Sequence, residues 1–311
     1  MATDFLNDTK TLNLLSLPVA FLIALTYLML KPRRRKTRFR TAIHVLLTKK
    51  TWLHPSVLMD FKYILIGKLF LSFLIAYVTL TMTGVGNVVL EQLNLTFGKH
   101  TAVEYNSILL NSFIIIILYL TYEFAYWLDH FLSHKIPFLW EFHKVHHSAT
   151  ILTPFTNWRM HPVDSIVFAN ILALCVGMAH GLIYYWFGAQ VSNLAMVSIN
   201  IIIILFMALY GHLQHSQFWI PFTGLTGKIL ISPAHHQIHH SNSKRHYDKN
   251  FGAGLAVFDW AFGTLYIPSN KKEILKFGVG NDKHLKGLAS SILHPFYHSA
   301  QRFREMCSKK I

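Results

Sequence analysis

Long stretches without a charged residue divide the chain into hydrophobic segments. Three of them run from Leu12 to Leu30, from Leu69 to Leu90 and from Tyr105 to Tyr122. A fourth, from Ser165 to Gly227, is long enough for two helices with a break near Gly188 to Ser192. About 20 apolar residues in a helix span the ~30 Å hydrocarbon core of a bilayer. The pattern therefore predicts four to five hydrophobic helices, the last two forming a hairpin that is either re-entrant or fully spanning.

The basic residues indicate how these helices are oriented. Nine Lys and Arg residues and no acid lie between Lys31 and Lys50, directly after the first apolar segment. By the positive-inside rule this loop is cytoplasmic. Counting spans from there places 129–164 and the tail from His212 on the same cytoplasmic side. These basic residues follow a long apolar segment, and no small-residue cleavage site lies between the two. We therefore expect no cleaved signal peptide.

Composition supports a membrane protein. Hydrophobic residues make up 52% of the 311 residues and charged residues only 14%, against about 25% in soluble domains. The net charge of +15 is explained by the topology, so we expect no nucleic-acid partner. The two cysteines, Cys175 and Cys307, form neither a disulfide framework nor a cysteine-based metal site.

The chain has 20 histidines but only 14 acidic residues, and many of the histidines are clustered. Residues i, i+3 and i+4 of a helix share one face, so such clusters can direct several imidazoles at one metal ion. More than four such ligands imply more than one ion. The isolated histidines, His284, His294 and His298 among them, are expected to be ordinary hydrogen-bonded side chains. The clusters are His130-x3-His134, His143-x2-His146-His147, His212-x2-His215 and His235-His236-x2-His239-His240, with His161 in an Arg-x-His-Pro element.

Every cluster falls on the predicted cytoplasmic edge, which points to a metal centre. The fold class expected is an all-α integral membrane protein with about 4–5 hydrophobic helices and a cytoplasmic-side histidine-rich helical cap. A non-enzymatic metal carrier or transporter is the main alternative, but such a protein needs polar groups at membrane depth. The apolar segments contain few beyond His180. A bis-histidine haem carrier would instead place histidine pairs on facing spans.

The clusters and their flanks resemble the fatty acid hydroxylase/sterol desaturase superfamily. The likeness covers roughly Trp52 to Pro268. The elements that carry it are the His130 and His134 box, Leu139-Trp140-Glu-Phe-His143-Lys-Val-His146-His147-Ser148, Arg159-Met-His161-Pro162, His215-Ser216-Gln217, Ser232-Pro233-Ala-His235-His236-Gln-Ile-His239-His240-Ser241, His246 to Gly252 and Phe258 to Tyr266. Gln217 stands where the family usually has Asn.

The resemblance implies a membrane-bound di-iron enzyme that uses O₂ and two electrons to hydroxylate or desaturate a sterol, fatty acyl or other lipid. It implies two iron ions and places His161 at or near the reaction, as a catalytic, ligating or supporting group. His212 and His235 are further candidates for metal ligands. The implied metal ligands are His130, His134, His143, His146, His147, His215, His236, His239 and His240.

Supporting residues are expected around this centre. Ligating imidazoles usually donate their second N–H to a carboxylate or carbonyl, for which the candidates are Glu123, Asp129, Asp164, Asp248 and Asn250. The aromatic candidates for a lipid cavity, or for the membrane interface instead, are Phe138, Trp140, Phe155, Trp158 and Phe218.

The chain divides by sequence into an N-terminal span and basic loop (1–62), a di-iron membrane domain (63–268) and a basic tail (269–311). No haem-binding HPGG motif occurs, so electrons are expected from a separate reductase or a cytochrome b5- or ferredoxin-type donor. Lipid substrate would enter from the surrounding bilayer, whose lipids the protein contacts. The sequence favours a bacterial inner membrane, with the endoplasmic reticulum as the alternative.

Overall fold

The computed structural model describes residues 17–30, 43–44, 47–67, 78–100, 107–206, 209, 211–280 and 283–308. Within these ranges the protein is helical, with two isolated β-bridges and no strand. The all-α prediction is therefore confirmed. The main helices are α1 (Leu17–Leu30), α2 (Pro55–Ile66), α3 (Met82–Phe97), α4 (Ile108–Lys135), α5 (Pro137–His147), α6 (Pro162–Phe206), α7 (Pro233–His239) and α8 (Leu288–Ser308). Short helical segments cover Lys49–Trp52, Pro154–Trp158, His212–Gln214, Gly224–Ile229, Lys244–His246, Val257–Ala261 and Lys283–Lys286.

Helix α4 joins the membrane part of the protein to the histidine-rich part. Its 28 residues rise about 42 Å at ~1.5 Å per residue, more than the ~30 Å of a hydrocarbon core. The predicted segment ended at Tyr122, but the helix continues to Lys135 and carries His130 and His134 on its last turns. Ile136 is extended and Pro137 opens α5, because a proline is favoured at the first position of a helix.

Helix α6 forms the predicted hairpin. Its break lies at Gly188, whose backbone is in the left-handed region at φ 81°, a conformation that glycine adopts without strain. The first arm leaves the histidine-rich end at Asp164, which faces His143. It reaches the opposite end at Tyr185, whose hydroxyl donates to the carbonyl of Gly98. The second arm returns, so that Phe206 lies against Gly254.

Glycines allow α3 and α6 to cross closely. A Cβ atom at Gly181 would lie 2.5 Å from the carbonyl oxygen of Gly86, and one at Gly177 would lie 2.7 Å from that of Met82. Small residues permit this backbone approach in membrane helices. Next to the crossing, α4 and α6 bury an apolar core that includes Ile114, Leu118 and Leu172.

Among the described residues, two helical segments are long and apolar enough to cross a bilayer: Ile108–Lys135 and Pro162–Gly188. Only 22% and 44% of their most apolar windows are buried inside the protein, whereas the core helix of a soluble protein would be mostly buried. Large side chains such as Ile108, Leu109 and Phe113 are exposed on α4. These faces fit a lipid environment.

The predicted segment from Leu69 to Leu90 differs from what the structure shows. Thr81 is extended, and its hydroxyl accepts from the amide of Gly84 to cap a helix that begins only at Met82. Hydrophobicity predicted one continuous helix there, but the threonines at 79 and 81 favour a helix start instead. Residues 68–77 of the predicted segment, and residues 12–16 of the first one, lie outside the described residues.

Candidate metal centre

The nine histidines implied as ligands come together in the interior, where they form two adjacent groups. Within each group the ring nitrogens lie within 4.8 Å of one another. The five-histidine group is His130, His134, His143, His147 and His239. The four-histidine group is His146, His215, His236 and His240. Because His146 and His147 are neighbours on α5, and His239 and His240 are neighbours at the end of α7, each pair bridges the two groups.

The inward-facing nitrogens have the spacing of metal ligands. The Nε2 atom of His147 lies 3.1 Å from those of His134 and His239. In the other group, the Nε2 atom of His215 lies 2.9 Å from that of His236 and 3.1 Å from those of His146 and His240. Two nitrogens bound to one ion at about 2.0–2.1 Å lie ~3.0 Å apart at a right angle and ~3.4 Å at the tetrahedral angle. The residues therefore fit one ion in each group.

Two further nitrogens support this fit. The Nε2 atoms of His130 and His143 are buried and have no hydrogen-bond partner among the described residues. Buried polar atoms are normally paired, and an unpaired one needs a physical reason. A bound cation would give these lone pairs the partner that the protein does not supply.

Three outward-facing Nδ1 atoms of the five-histidine group are held by acceptors. His130 Nδ1 donates to the carbonyl of Phe251 and His239 Nδ1 to that of Lys249, each at 2.8 Å. His143 Nδ1 donates to the carboxylate of Asp164 at 3.2 Å. These bonds place the proton on Nδ1 and leave the Nε2 lone pair pointing inward, the arrangement that metal-binding histidines use.

A strained loop supplies two of these carbonyls. Asp248 and Asn250 both have left-handed backbone, at φ 58° and 60°, which Asn and Asp tolerate better than most residues. The Asn250 amide donates to the carbonyls of His235 and Tyr266 and accepts from the Tyr266 amide. This clamp stabilises the turn that aims the carbonyls of 249 and 251 at the histidines.

Asp259 and Glu123 fasten the same loop to the rest of the protein. Asp259 accepts from the amides of Phe251 and Gly252, and Glu123 on α4 accepts from those of Gly254 and Leu255. Glu123 and Asn250 were predicted as direct partners of the ligands. They instead bind backbone groups and so stabilise the loop that holds the ligands. Asp259 was not singled out from the sequence, where it appeared only within the element Phe258 to Tyr266.

Fewer hydrogen bonds fix the Nδ1 atoms of the four-histidine group. His146 Nδ1 donates to the carbonyl of Arg159 at 3.3 Å. The Nδ1 atoms of His215, His236 and His240 are buried without a hydrogen-bond partner among the described residues. The two groups therefore differ in their surroundings although they share the same ligand type.

Burial favours the neutral imidazoles that metal binding requires. Desolvation, and next the neighbouring histidines, lower the pKa of His146, His147, His236 and His240 well below the ordinary value. The pKa values of His215 and His239 fall to about 3, again mainly through desolvation. At neutral pH these rings are uncharged, with lone pairs available to a cation.

The carbonyl that holds His146 is itself fixed by a buried ion pair. Arg159 Nε donates to Asp60 on α2 at 2.6 Å, and both side chains are at most 2% exposed. The hydroxyl of Thr156 also donates to Asp60, and the Arg159 guanidinium donates to the carbonyl of Ser56. The Arg-x-His-Pro element therefore contributes its arginine as an anchor, a role that the sequence did not indicate.

His161 lies outside both groups. Its Nε2 donates to the carbonyl of Ile292 on α8 at 2.9 Å, and its Nδ1 accepts from the amide of Val163 at 3.1 Å. Both nitrogens are thus engaged with backbone, at the joint between α6 and α8. This geometry gives the predicted catalytic or ligating role of His161 no support.

The two further candidates for metal ligands also lie outside the groups. His235 caps α7: its Nδ1 accepts from the Ser232 amide and its Nε2 donates to the carbonyl of Gly227. This capping turns the helix so that His236, His239 and His240 face the centre. His212 stacks on Trp158 with ring centroids 5.5 Å apart.

The remaining predicted acids differ in position. Asp129 is buried on α4, and its Oδ1 has no hydrogen-bond partner among the described residues. Asp248 lies 3.7 Å from His134 Nδ1, too far for a hydrogen bond, and pairs with Lys135 at 2.5 Å instead. Of the predicted acids, Asp164 makes the direct contact with a candidate ligand.

A cavity of about 980 Å³ reaches both groups. Four of the nine histidines line it, His134, His147, His239 and His240, and its wall continues to Arg302, Glu305 and Met306 on α8. Charged side chains on the other sides are Glu141, Lys144 and Asp248.

Among the predicted aromatic residues Trp140 lines this cavity. The other four pack elsewhere: Phe138 on Phe303, Phe155 on Trp52 and Phe61, Trp158 on His212, and Phe218 on Tyr27.

Comparison with known proteins agrees with this site. Residues 115–264, just under half of the chain, match the family model described as fatty acid hydroxylase. That range contains all nine histidines of the two groups. No solved structure matches the chain significantly.

Three relatives show the range of the family. An ornithine lipid hydroxylase of Rhizobium tropici is 26% identical over 60% of this chain and 51% of its own length. Human alkylglycerol monooxygenase is 25% identical over 49% of this chain and 31% of its own length. A putative Δ7-sterol-C5(6)-desaturase of Arabidopsis thaliana is 27% identical over 53% of this chain and 52% of its own length.

The chain thus spans about half or less of each relative. The matched region, the apolar helices and the histidine clusters agree with one another, and they describe a membrane protein. Residues 115–264 of this chain therefore match the fatty acid hydroxylase family, and the chain is similar to a lipid hydroxylase, to alkylglycerol monooxygenases and to a putative sterol desaturase.

Proposed function

We propose that this protein is a membrane-bound oxygenase in which two iron ions, one in each histidine group, serve the hydroxylation of an alkyl chain of a polar lipid. The observation that carries the proposal is the pair of adjacent groups of buried histidines at the wall of one cavity. Imidazole is a good ligand for iron, and nine candidate ligands exceed what one ion takes. Such an iron pair supplies reductive activation of O₂, with the balance RH + O₂ + 2 e⁻ + 2 H⁺ → ROH + H₂O.

The protein's own residues orient and shield this chemistry. The Phe251 and Lys249 carbonyls and the Asp164 carboxylate fix the rings of His130, His239 and His143. All nine histidine side chains are largely buried, so water is excluded except through the cavity. Exclusion of water from the histidines favours reaction with a lipid C–H bond over side reactions with water.

The lining of the cavity favours a lipid with a polar head group. Lys144, Arg302, Glu141 and Asp248 offer both signs of charge close to His134 and His147. Two of the relatives are named for the polar lipids ornithine lipid and alkylglycerol. We therefore place the head group among these charges and the alkyl chain at the histidines.

The remaining parts of the proposal concern partners and orientation. Electrons come from a separate donor protein, such as a reductase or a cytochrome b5- or ferredoxin-type carrier. The histidine-rich end faces the cytoplasm, as the basic loop at 31–50 suggests. A bacterial inner membrane is the favoured location.

Oxygen-18 labelling tests the proposed reaction. Membranes containing the iron-loaded full chain, a reducing system and ¹⁸O₂ should produce a lipid that gains one labelled oxygen. His239→Ala and His236→Ala, one from each group, should lower product by more than ~100-fold, because each removes a ligand. His100→Ala is the matched control, since His100 is exposed and packs on Tyr185 and Trp186 away from the centre.

The outcomes separate the candidate reactions. Loss of two hydrogens without gain of oxygen would replace hydroxylation by desaturation, in line with the sterol desaturase relative. Metal binding with no change in any lipid would contradict the enzyme and favour the non-enzymatic metal-binding alternative. Full activity in either ligand variant would refute the assignment of that histidine.

A further inference from the structure

Three histidines outside the nine meet on the surface of the C-terminal part. We call His284, His294 and His298 the tail histidine cluster. His294 and His298 are one turn apart on α8, and His284 comes from the short helix Lys283–Lys286 that precedes it. Their ring nitrogens lie within 4.8 Å of one another, and the rings of His284 and His294 stack with centroids 4.0 Å apart.

The fold holds the two halves of this cluster in place. Leu285, next to His284, is buried with Met59, Tyr63 and Val145. On α8, the hydroxyl of Ser291 pairs with that of Tyr63 at 2.8 Å. Because both the preceding turn and the helix are anchored to α2, the position of His284 beside His294 is set by buried contacts.

The cluster shares no residue with the two buried groups. His284 is exposed and the other two rings are partly buried, so the cluster can exchange ligands with solvent. Three histidines with one position open to water make a ligand set that zinc accepts. Nitrogens bound to one zinc lie about 3.4 Å apart, so these rings, whose nitrogens now lie within 4.8 Å of one another, turn towards the ion when it binds.

We propose that the tail histidine cluster binds one zinc ion, separate from the buried metal centre. The ion ties the turn at 283–286 to the first half of α8. That helix carries Arg302, Glu305 and Met306 to the cavity wall and accepts a hydrogen bond from His161 at the Ile292 carbonyl. Zinc at this position would therefore hold one wall of the cavity in place.

Zinc counting on the purified full chain tests the proposal. The protein is first given iron under anaerobic conditions and then titrated with Zn²⁺ at pH 8 against a competing chelator. Wild type should retain one zinc more than His284→Ala and His294→Ala. Each variant should bind that ion at least ~100-fold more weakly, since loss of a ligand costs more than loss of an outer partner.

The controls make the result decisive. The two variants alter different elements, and an unchanged iron content shows that each is folded. His100→Ala should retain the additional zinc, which separates the cluster from adventitious binding to exposed histidines. The difference of one zinc holds whether or not iron fills the buried groups. Equal zinc content and affinity in wild type and both cluster variants would overturn the proposal.

Discussion

Asp164 is the acid in direct contact with a candidate ligand. Its two carboxylate oxygens lie 3.2 and 3.3 Å from His143 Nδ1. An anion at this position strengthens the imidazole as a donor and fixes its orientation. The comparable contacts of His130 and His239 go to backbone carbonyls, so a side-chain substitution isolates the effect only at His143.

Asp164→Asn should weaken metal binding without unfolding the protein. The amide keeps the shape of the side chain but removes its charge, and such outer partners are worth about 10–100-fold in metal affinity. Anaerobic iron titration of the purified chain measures this. The exposed Glu91→Gln serves as the control. Unchanged affinity in Asp164→Asn would show that the His143 contact does not support metal binding.

The buried histidines also predict how the metal-free protein responds to acid. The pKa values of His215 and His239 are lowered to about 3, against about 6.5 in an unfolded chain. Above pH 6.5 both states are neutral at these rings, so stability does not depend on them. Between pH 6.5 and about 3 the unfolded state binds protons that the folded state does not, so stability falls by up to ~1.4 kcal/mol per pH unit for each histidine.

Thermal unfolding of the metal-free protein across that pH range measures this loss. Iron should protect the protein against acid, because it binds the folded state. A stability that stays constant from pH 7 to pH 5 would contradict the burial of these rings as neutral groups.

At the scale of elements, two contacts position the centre: the crossing of α3 with α6 and the buried ion pair between α2 and the segment after α5. A Cβ at Gly181 would meet the backbone carbonyl of Gly86 at 2.5 Å. Backbone cannot move aside as a flexible side chain can, so the two helices would have to separate.

Gly181→Ala should therefore destabilise the protein by about 1–3 kcal/mol, the usual cost of overpacking. Gly67→Ala is the matched control, because Gly67 has ordinary helical backbone at φ −57° and nothing within 4 Å of a Cβ. Detergent-solubilised protein unfolded by heat gives the comparison. Equal stability of the two variants would show that the α3–α6 contact is looser than described.

Asp60→Ala should destabilise the protein more than Gly181→Ala does. It leaves the Arg159 guanidinium buried without its carboxylate, and breaking a buried pair costs about 3–5 kcal/mol. The Arg159 carbonyl that holds His146 should shift as well, so the four-histidine group should lose iron before the five-histidine group. Arg245→Ala removes an exposed pair with Glu273 and should cost about 0–1 kcal/mol; a similar cost at Asp60 would contradict the anchoring role.

Much of the site was predictable from sequence because helical spacing makes local groupings. The boxes at 130 and 134, at 143–147 and at 236–240 each form on one turn, and all nine implied ligands join the two groups. The break at Gly188 followed from an apolar stretch too long for one helix. The sequence could not provide contacts between distant segments, such as Asp60 with Arg159 and Glu123 with the amides of Gly254 and Leu255.

The tail histidine cluster was missed for the same reason. His294-x3-His298 has the spacing of the His130 box, but the third member depends on how the turn at 283–286 packs on α2. The start of α3 was misplaced because hydrophobicity alone does not mark a threonine cap.

At the scale of the whole molecule, one long helix connects two environments. The exposed apolar side chains of α4 fit lipid, and its last turns deliver His130 and His134 to a centre that α5, α7 and the loop at 248–252 complete. The charged cavity then opens between α5 and α8. A lipid can place its chain at the histidines while its head group remains among charges.

The iron content of the purified chain tests the central claim most directly. Protein reconstituted with Fe²⁺ under anaerobic conditions, and freed of zinc by a chelator, should contain about two iron ions per chain. His239→Ala and His236→Ala should each lower that number, and His100→Ala should not. One ion or none per chain in folded wild-type protein would contradict the paired histidine centre on which the proposed oxygenase depends.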